Sequence, residues 1–216
     1  AYIWVGGAPL DDELMFRAAN HITAGQWLGA YDYLTLSKAM FFPVWLALLH
    51  ALHLPYLISG AALWCGAALL AAFAFSTLWR KKDPAQGRVL TLGLFAALAF
   101  LPSSWAAYTL RVYRDNIFPA LCLYFFAGMA GMALCAVLTW LAAAGAGLAC
   151  GYLDREDAGL FLLPFAAAAT VIVAVVLAGK RRWKALAAQV IPYAMLGVGV
   201  LTFCTLNYTH YGVFAL

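Results

Sequence analysis

The sequence predicts an all-α, polytopic integral membrane protein with about six transmembrane helices and an interfacial helix on its outer face. Three observations predict it. Of the 216 residues, 66% are hydrophobic and 10% charged, with a mean hydropathy of +0.88; a soluble domain of this length would expose far more Lys and Glu. Apolar runs close to the ~20 residues needed to cross a bilayer recur along the chain. Most of the basic residues collect in two short loops between those runs, as the positive-inside rule expects of cytoplasmic connections.

In chain order, residues 1–20 carry acids and lack a basic region followed by an apolar core, so no signal peptide is expected there. The chain begins without Met and ends at Leu216 after an aromatic polar stretch, and it reads as a fragment truncated at both ends. Pro9 and Asp11-Asp12-Glu13, followed by Leu14, Met15, Ala18, Ala19 and Ile22, form a helix-start pattern, because acids in a first turn favour the helix dipole. The segment from Phe41 to His53 is too short to span and includes His50 and His53. It is expected to lie in the interface, the alternative being a short tilted span. Spans are expected at roughly 56–79, 89–106, 117–134, 135–152, 159–179 and 186–206. With the loops 80–88 and 180–185 both cytoplasmic, the run 117–152 must cross twice, although its turn near Ala133-Leu134-Cys135 carries no charge. Gly128, Gly131 and the neighbouring alanines suit close helix packing there. Residues 1–55 therefore form an outer-face loop with interfacial helices, and residues 56–216 a single transmembrane helical domain.

This parity places 1–55, 107–116, 153–158 and 207–216 on the outer side. Eight of the nine acidic residues fall in those segments, Asp83 being the exception. Asp and Glu contribute little to orientation, so their gathering on one face reads as functional. The net charge of +4 does not indicate a nucleic-acid partner, because Arg80-Lys81-Lys82 with Arg88, and Lys180-Arg181-Arg182 with Lys184, flank membrane segments. Cys65, Cys122, Cys135, Cys150 and Cys204 lack Cys-x-x-Cys spacing and read as small buried hydrophobes. No phosphate-binding glycine loop or Gly-x-Ser-x-Gly elbow is present.

Four groups carry candidate chemistry. Adjacent helical residues point about 100° apart, so one of Asp11 and Asp12 can cap the helix while the other faces a cleft and takes a proton from an attacking hydroxyl. Glu13 with Arg17 reads as a stabilising i,i+4 pair. Lys38 is either a snorkelling boundary lysine or a point charge for a lipid phosphate. Arg111 and Arg114, in a short outer loop with Asp115, need carboxylates or an anionic ligand beside them; Asp154 with Arg155-Glu156-Asp157 can supply that partner, as a salt-bridge network, a site or both. His21, His50, His53 and His210 have no metal-ligand spacing, and His210 is the one expected to reach the outer cleft.

The stretch Asp11-Asp12-Glu13-Leu14, then Gly25-Gln26-Trp27-Leu28-Gly29, then Thr35-Leu36-Ser37-Lys38-Ala39-Met40-Phe41-Phe42-Pro43 resembles the first outer loop of the GT-C superfamily of membrane glycosyltransferases, which includes protein O-mannosyltransferases and lipid A aminoarabinose transferases. Arg111 to Asp115, and Arg155-Glu156-Asp157 followed by Leu163-Pro164, are similar to later outer segments of that superfamily. The resemblance covers nearly the whole chain in short motifs. It departs at Ala39-Met40, where the family tends to have Gly-Pro or Pro-Pro after the lysine. It implies a partial GT-C fold in a bacterial inner membrane, with the site facing the periplasm or exterior and a polyprenyl-phosphate-linked sugar as donor. Asp12 would be the preferred base and Asp11 the reserve. Lys38, Arg111 and Arg114 would bind phosphate, with Arg155, Glu156 and His210 also contacting substrate. No cofactor is implied for certain; some members use a divalent metal ion, and the acids here suit either case.

The expected activity is transfer of a hexosyl or pentosyl group to an acceptor hydroxyl, with cations around one centre stabilising charge on the departing phosphate. Two other classes compete with it. A transporter or flippase would use the same cations to hold a head group, although its ionisable residues would sit near the midplane. An inactive scaffold subunit would keep the fold alone.

Overall fold

The computed structural model describes residues 11–79, 83–102 and 112–216, and every regular element among them is helical. Helices α1 (Asp11–Thr23) and α2 (Phe41–Ala51) precede α3 (Tyr56–Ser76), α4 (Pro84–Ala99), α5 (Phe118–Cys135), α6 (Thr139–Asp154), α7 (Ala158–Gly179), the short α8 (Trp183–Ala188) and α9 (Val190–Tyr211). A 3-10 turn, Arg114–Asn116, leads into α5. Pro9, the basic run Arg80-Lys81-Lys82, Arg111 and the end of the expected span 89–106 lie outside the described residues.

The long helices follow the expected apolar runs in order. Among the described residues, four segments are long and apolar enough to cross a membrane: Tyr56–Ser76, Arg114–Cys135, Ala158–Gly179 and Trp183–Tyr211. Helices α4 and α6 have 16 residues each, about 24 Å. The start of α4 falls earlier than the apolar run. Asp83 caps it by accepting from the Ala85 and Gln86 amides, and Pro84 opens its first turn. Helix α2, at 11 residues, is about 16 Å long and too short to cross by itself.

Successive long helices run up and down. The Trp64 indole donates to the Leu98 carbonyl at 3.1 Å, and the Trp79 indole to Thr91 Oγ1 at 3.1 Å, which fixes α3 and α4 as antiparallel. The uncharged turn does break the apolar run 117–152: α5 ends at Ala136, whose φ of 54° is left-handed, and α6 starts at Thr139. A Cβ at Gly128 would lie 2.6 Å from the Trp140 carbonyl oxygen, so the two helices approach backbone to backbone. Helix α6 is central, packing against α5, α7 and α9. Phe125, Met129, Met132, Leu141, Leu148 and Leu177 form the main core. Leu160, Phe161, Phe165, Val171, Ile172 and Val175 of α7 are largely exposed, an apolar outer face consistent with a lipid surround.

The two ends of this bundle differ. At one, Lys180 Nζ donates to the Ala133 carbonyl at 3.1 Å, bringing the α7–α8 connection against the α5–α6 turn. The other end carries α1, α2 and the charged segments around residues 114 and 155. Met15 of α1 and Phe42 of α2 are buried with Ile117 and Leu121, while Leu28 and Met40 pack with Leu153 and Phe203. The N-terminal segment is thus a cap seated on the ends of α5, α6 and α9.

Candidate functional site

The cap is held by a loop whose geometry is local. Asp32 Oδ1 accepts from the Leu34 amide at 2.8 Å and from Thr35 Oγ1 at 3.0 Å, closing a turn over residues 32–35. Gly29, at φ +98°, passes so close to α1 that a Cβ there would lie 2.6 Å from the His21 ring. These constraints deliver Lys38 to the first turn of α1, where Nζ meets Asp11 Oδ2 at 2.8 Å.

Three ion-paired groups converge beside it from distant parts of the chain. Arg114, only 8% exposed at its side chain, pairs with Glu156. The other Glu156 oxygen accepts from the Ala39 amide at 2.9 Å, so Glu156 ties the 3-10 turn to the Lys38-Ala39 segment. Arg155 reaches Asp115 at 2.9 Å and grips Asp157 through Nε and Nη2 at 2.8 and 3.0 Å. Its guanidinium also lies 5.2 Å from the centre of the Phe118 ring, within cation–π range.

A hollow of about 310 Å³ opens among these groups, lined by Lys38, Arg155, Glu156 and by apolar Leu36, Met40, Leu153 and Leu216. A second, of about 210 Å³, lies across Lys38-Ala39-Met40 and takes in Arg17, His21, Asp32 and Thr35. Cations with an apolar wall suit the head of an anionic amphiphile, whose charge and chain need different surroundings.

The structure therefore brings Asp11, Lys38, Arg114, Arg155 and Glu156 into one neighbourhood. Asp12 turns inward and is 8% exposed, and its charge acts on the Tyr56 hydroxyl together with those of Asp154 and Asp115. His210 lies at the same end of the bundle. It stacks on Trp27, with ring centroids 6.2 Å apart, and lines neither hollow. Trp27 is in turn fixed by its indole donating to Asn207 Oδ1 at 2.9 Å, so His210 belongs to the seam between cap and α9. Glu13 pairs with Arg17 at 2.8 Å, both exposed, as an i,i+4 pair. Among the described residues, no three His, Cys, Asp or Glu side chains gather as a metal site.

Two buried residues stand outside the expected substrate-contacting set, Asp154 being expected only in a network with Arg111 and Arg114. Asp154 is wholly buried, and neither carboxylate oxygen has a hydrogen-bond partner; its one visible signal is an acid ending an otherwise apolar helix. Asn207 is also wholly buried and donates to the Ala215 carbonyl at 2.6 Å. A polar residue within an apolar run was its only mark.

Partial burial alone would raise the Glu156 acid, but the Ala39 amide, its own amide and the Arg114 guanidinium hold it below the usual carboxylate range. Asp157 is held low by its hydrogen bonds from Arg155. Both are depressed in the folded state, so their stabilisation is present above the ordinary carboxylate range and is lost as pH falls through the lowered values. We predict that acidification below that range loosens the junction between cap and bundle, and that limited proteolysis of the loop 24–40 accelerates there. Glu156→Gln should flatten much of that acid dependence. No family model matches the chain, and no curated protein or solved structure matches it either.

Proposed function

We propose that the chain forms the donor-side part of a membrane glycosyltransferase, moving a sugar from a polyprenyl-phosphate carrier to an acceptor hydroxyl. In this reading the fold is a partial GT-C fold with six crossings, α4 and α6 completing the four longer spans, and the cap faces the periplasm or exterior of a bacterial inner membrane. The observation that carries it is the hollow at the cap. Lys38 and Arg155 line it with an apolar wall, Asp11 is ion-paired to Lys38 at 2.8 Å, and Asp12 follows it in α1, turned inward. A phosphate oxygen can take over donors from Lys38 and Arg155, and an aspartate so released is free to accept a hydroxyl proton.

The test is binding of a polyprenyl phosphate to the protein in nanodiscs. Lys38→Ala and Arg155→Ala are each expected to weaken binding about tenfold or more, the scale of one lost charge-assisted hydrogen bond. Asp12→Asn, or Asp11→Asn if Asp11 is the base, should retain binding and abolish sugar transfer. Binding indifferent to both cation changes overturns the phosphate site. Binding without transfer from any lipid-linked sugar shifts the reading to a head-group transporter.

A further inference from the structure

The carboxyl group of Asp154 is enclosed at the C-terminal end of α6, with no exposed surface and, among the described residues, no donor to either oxygen. An ionised carboxylate there would bear the full cost of a desolvated charge, and the carbonyl end of its own helix opposes a negative charge further. The group is therefore held as the neutral acid. The charged and titratable groups that act on it are Arg114 and Asp115 from the 3-10 turn, Arg155 and Glu156 from the following loop, Tyr56 from α3, Cys122 from α5 and Cys150 from its own helix.

Arg114 supplies the second half of the observation. Its Nη1 is engaged by Glu156, but its Nε is buried and has no acceptor. A buried acid without a donor and a buried guanidinium N–H without an acceptor thus occupy the same interior region. In this arrangement Glu156 holds the guanidinium through Nη1. Glu156 is itself the tie to Ala39.

We propose that Asp154 is a proton-binding site governing this tie: release of its proton to water draws Arg114 from Glu156 to Asp154 and frees the Lys38-Ala39 segment at the rim of the hollow. In the protonated state Arg114 holds Glu156 and Glu156 holds the Ala39 amide. In the deprotonated state the carboxylate takes the guanidinium, Glu156 turns to solvent and the rim opens. The site's ligand is a proton, and the inference stands whether or not the protein transfers sugars.

Hydrogen exchange of the Ala39 amide, measured on the intact chain in nanodiscs and corrected for intrinsic rate, reads the tie directly. In the native protein the opening constant should rise by up to about tenfold per pH unit once the proton starts to leave Asp154. In Asp154→Asn, which keeps the shape without the titration, it should be independent of pH across that range. Glu156→Gln, which weakens the hold on Arg114, should shift the rise to lower pH. An infrared carboxylic-acid C=O band at neutral pH, absent from Asp154→Asn, should accompany the protected state. A rise that persists unchanged in Asp154→Asn, or the absence of that band from the native protein, overturns the proposal.

Discussion

Glu156→Ala is expected to destabilise the protein by about 2–3 kcal/mol, because it removes the carboxylate from a guanidinium that is almost wholly buried. The figure lies below that for a fully enclosed pair because the Glu156 side chain is 36% exposed and its own charge is partly solvated. Glu156→Gln should cost roughly half as much, since an amide oxygen still serves the Ala39 N–H. The alanine variant also orphans that amide, so the loss should extend to the packing of α2. If Arg114 turns to Asp154 when Glu156 is missing, part of the loss is recovered at high pH. Adding Asp154→Asn should then remove the recovery. Chemical unfolding in detergent, followed by the tryptophans of the cap, measures each of these differences.

Gly147→Ala should be comparably damaging for a different reason. Its Cβ would lie 2.5 Å from the Leu121 carbonyl oxygen and 2.6 Å from the Phe125 nitrogen, both main-chain atoms of the facing helix. Main chain cannot swing aside as a side chain can, so α5 and α6 must separate along their contact. A cost of about 2–3 kcal/mol follows, with Gly128→Ala close behind. Gly93→Ala and Gly197→Ala meet nothing within 4 Å and should be neutral or stabilising by about 0.5–1 kcal/mol, the helix preference of alanine over glycine. Thermal melting of the four variants in one detergent separates the two classes. Equal effects at all four positions would contradict the close approach of α5 and α6.

The helical order was legible because hydropathy reports length and composition directly. Parity between basic loops then forced a break in 117–152, which the left-handed Ala136 supplies. The start of α4 was misjudged because its first turn is polar and is set by the Asp83 cap rather than by apolar periodicity. Within the site, Lys38, Arg114 and Glu156 stood out as charges in a chain that has few. Their pairing did not, since Ala39 and Glu156 lie 117 positions apart and no local pattern encodes that contact. Asp154 was overshadowed by three charged neighbours in sequence that remain partly solvated. The stacking of His210 on Trp27 was not legible because the two lie at opposite ends of the chain.

The seam at Asn207 bears on how the protein is made. Trp27 bonds to Asn207 across 180 positions, and Gly29 accepts from the Tyr211 hydroxyl across 182. Residues 11–51 are synthesised before the surface they cover, which is complete only when α9 is in place. Until α5 and α6 follow, Met15 lacks Ile117 and Leu121, and Leu28 and Met40 lack Leu153; Phe203 is missing until α9 is made. Contacts of such separation form slowly and leave apolar surface open while they wait. The nascent cap is therefore expected to lie against the bilayer surface until α5, α6 and finally α9 complete its seat.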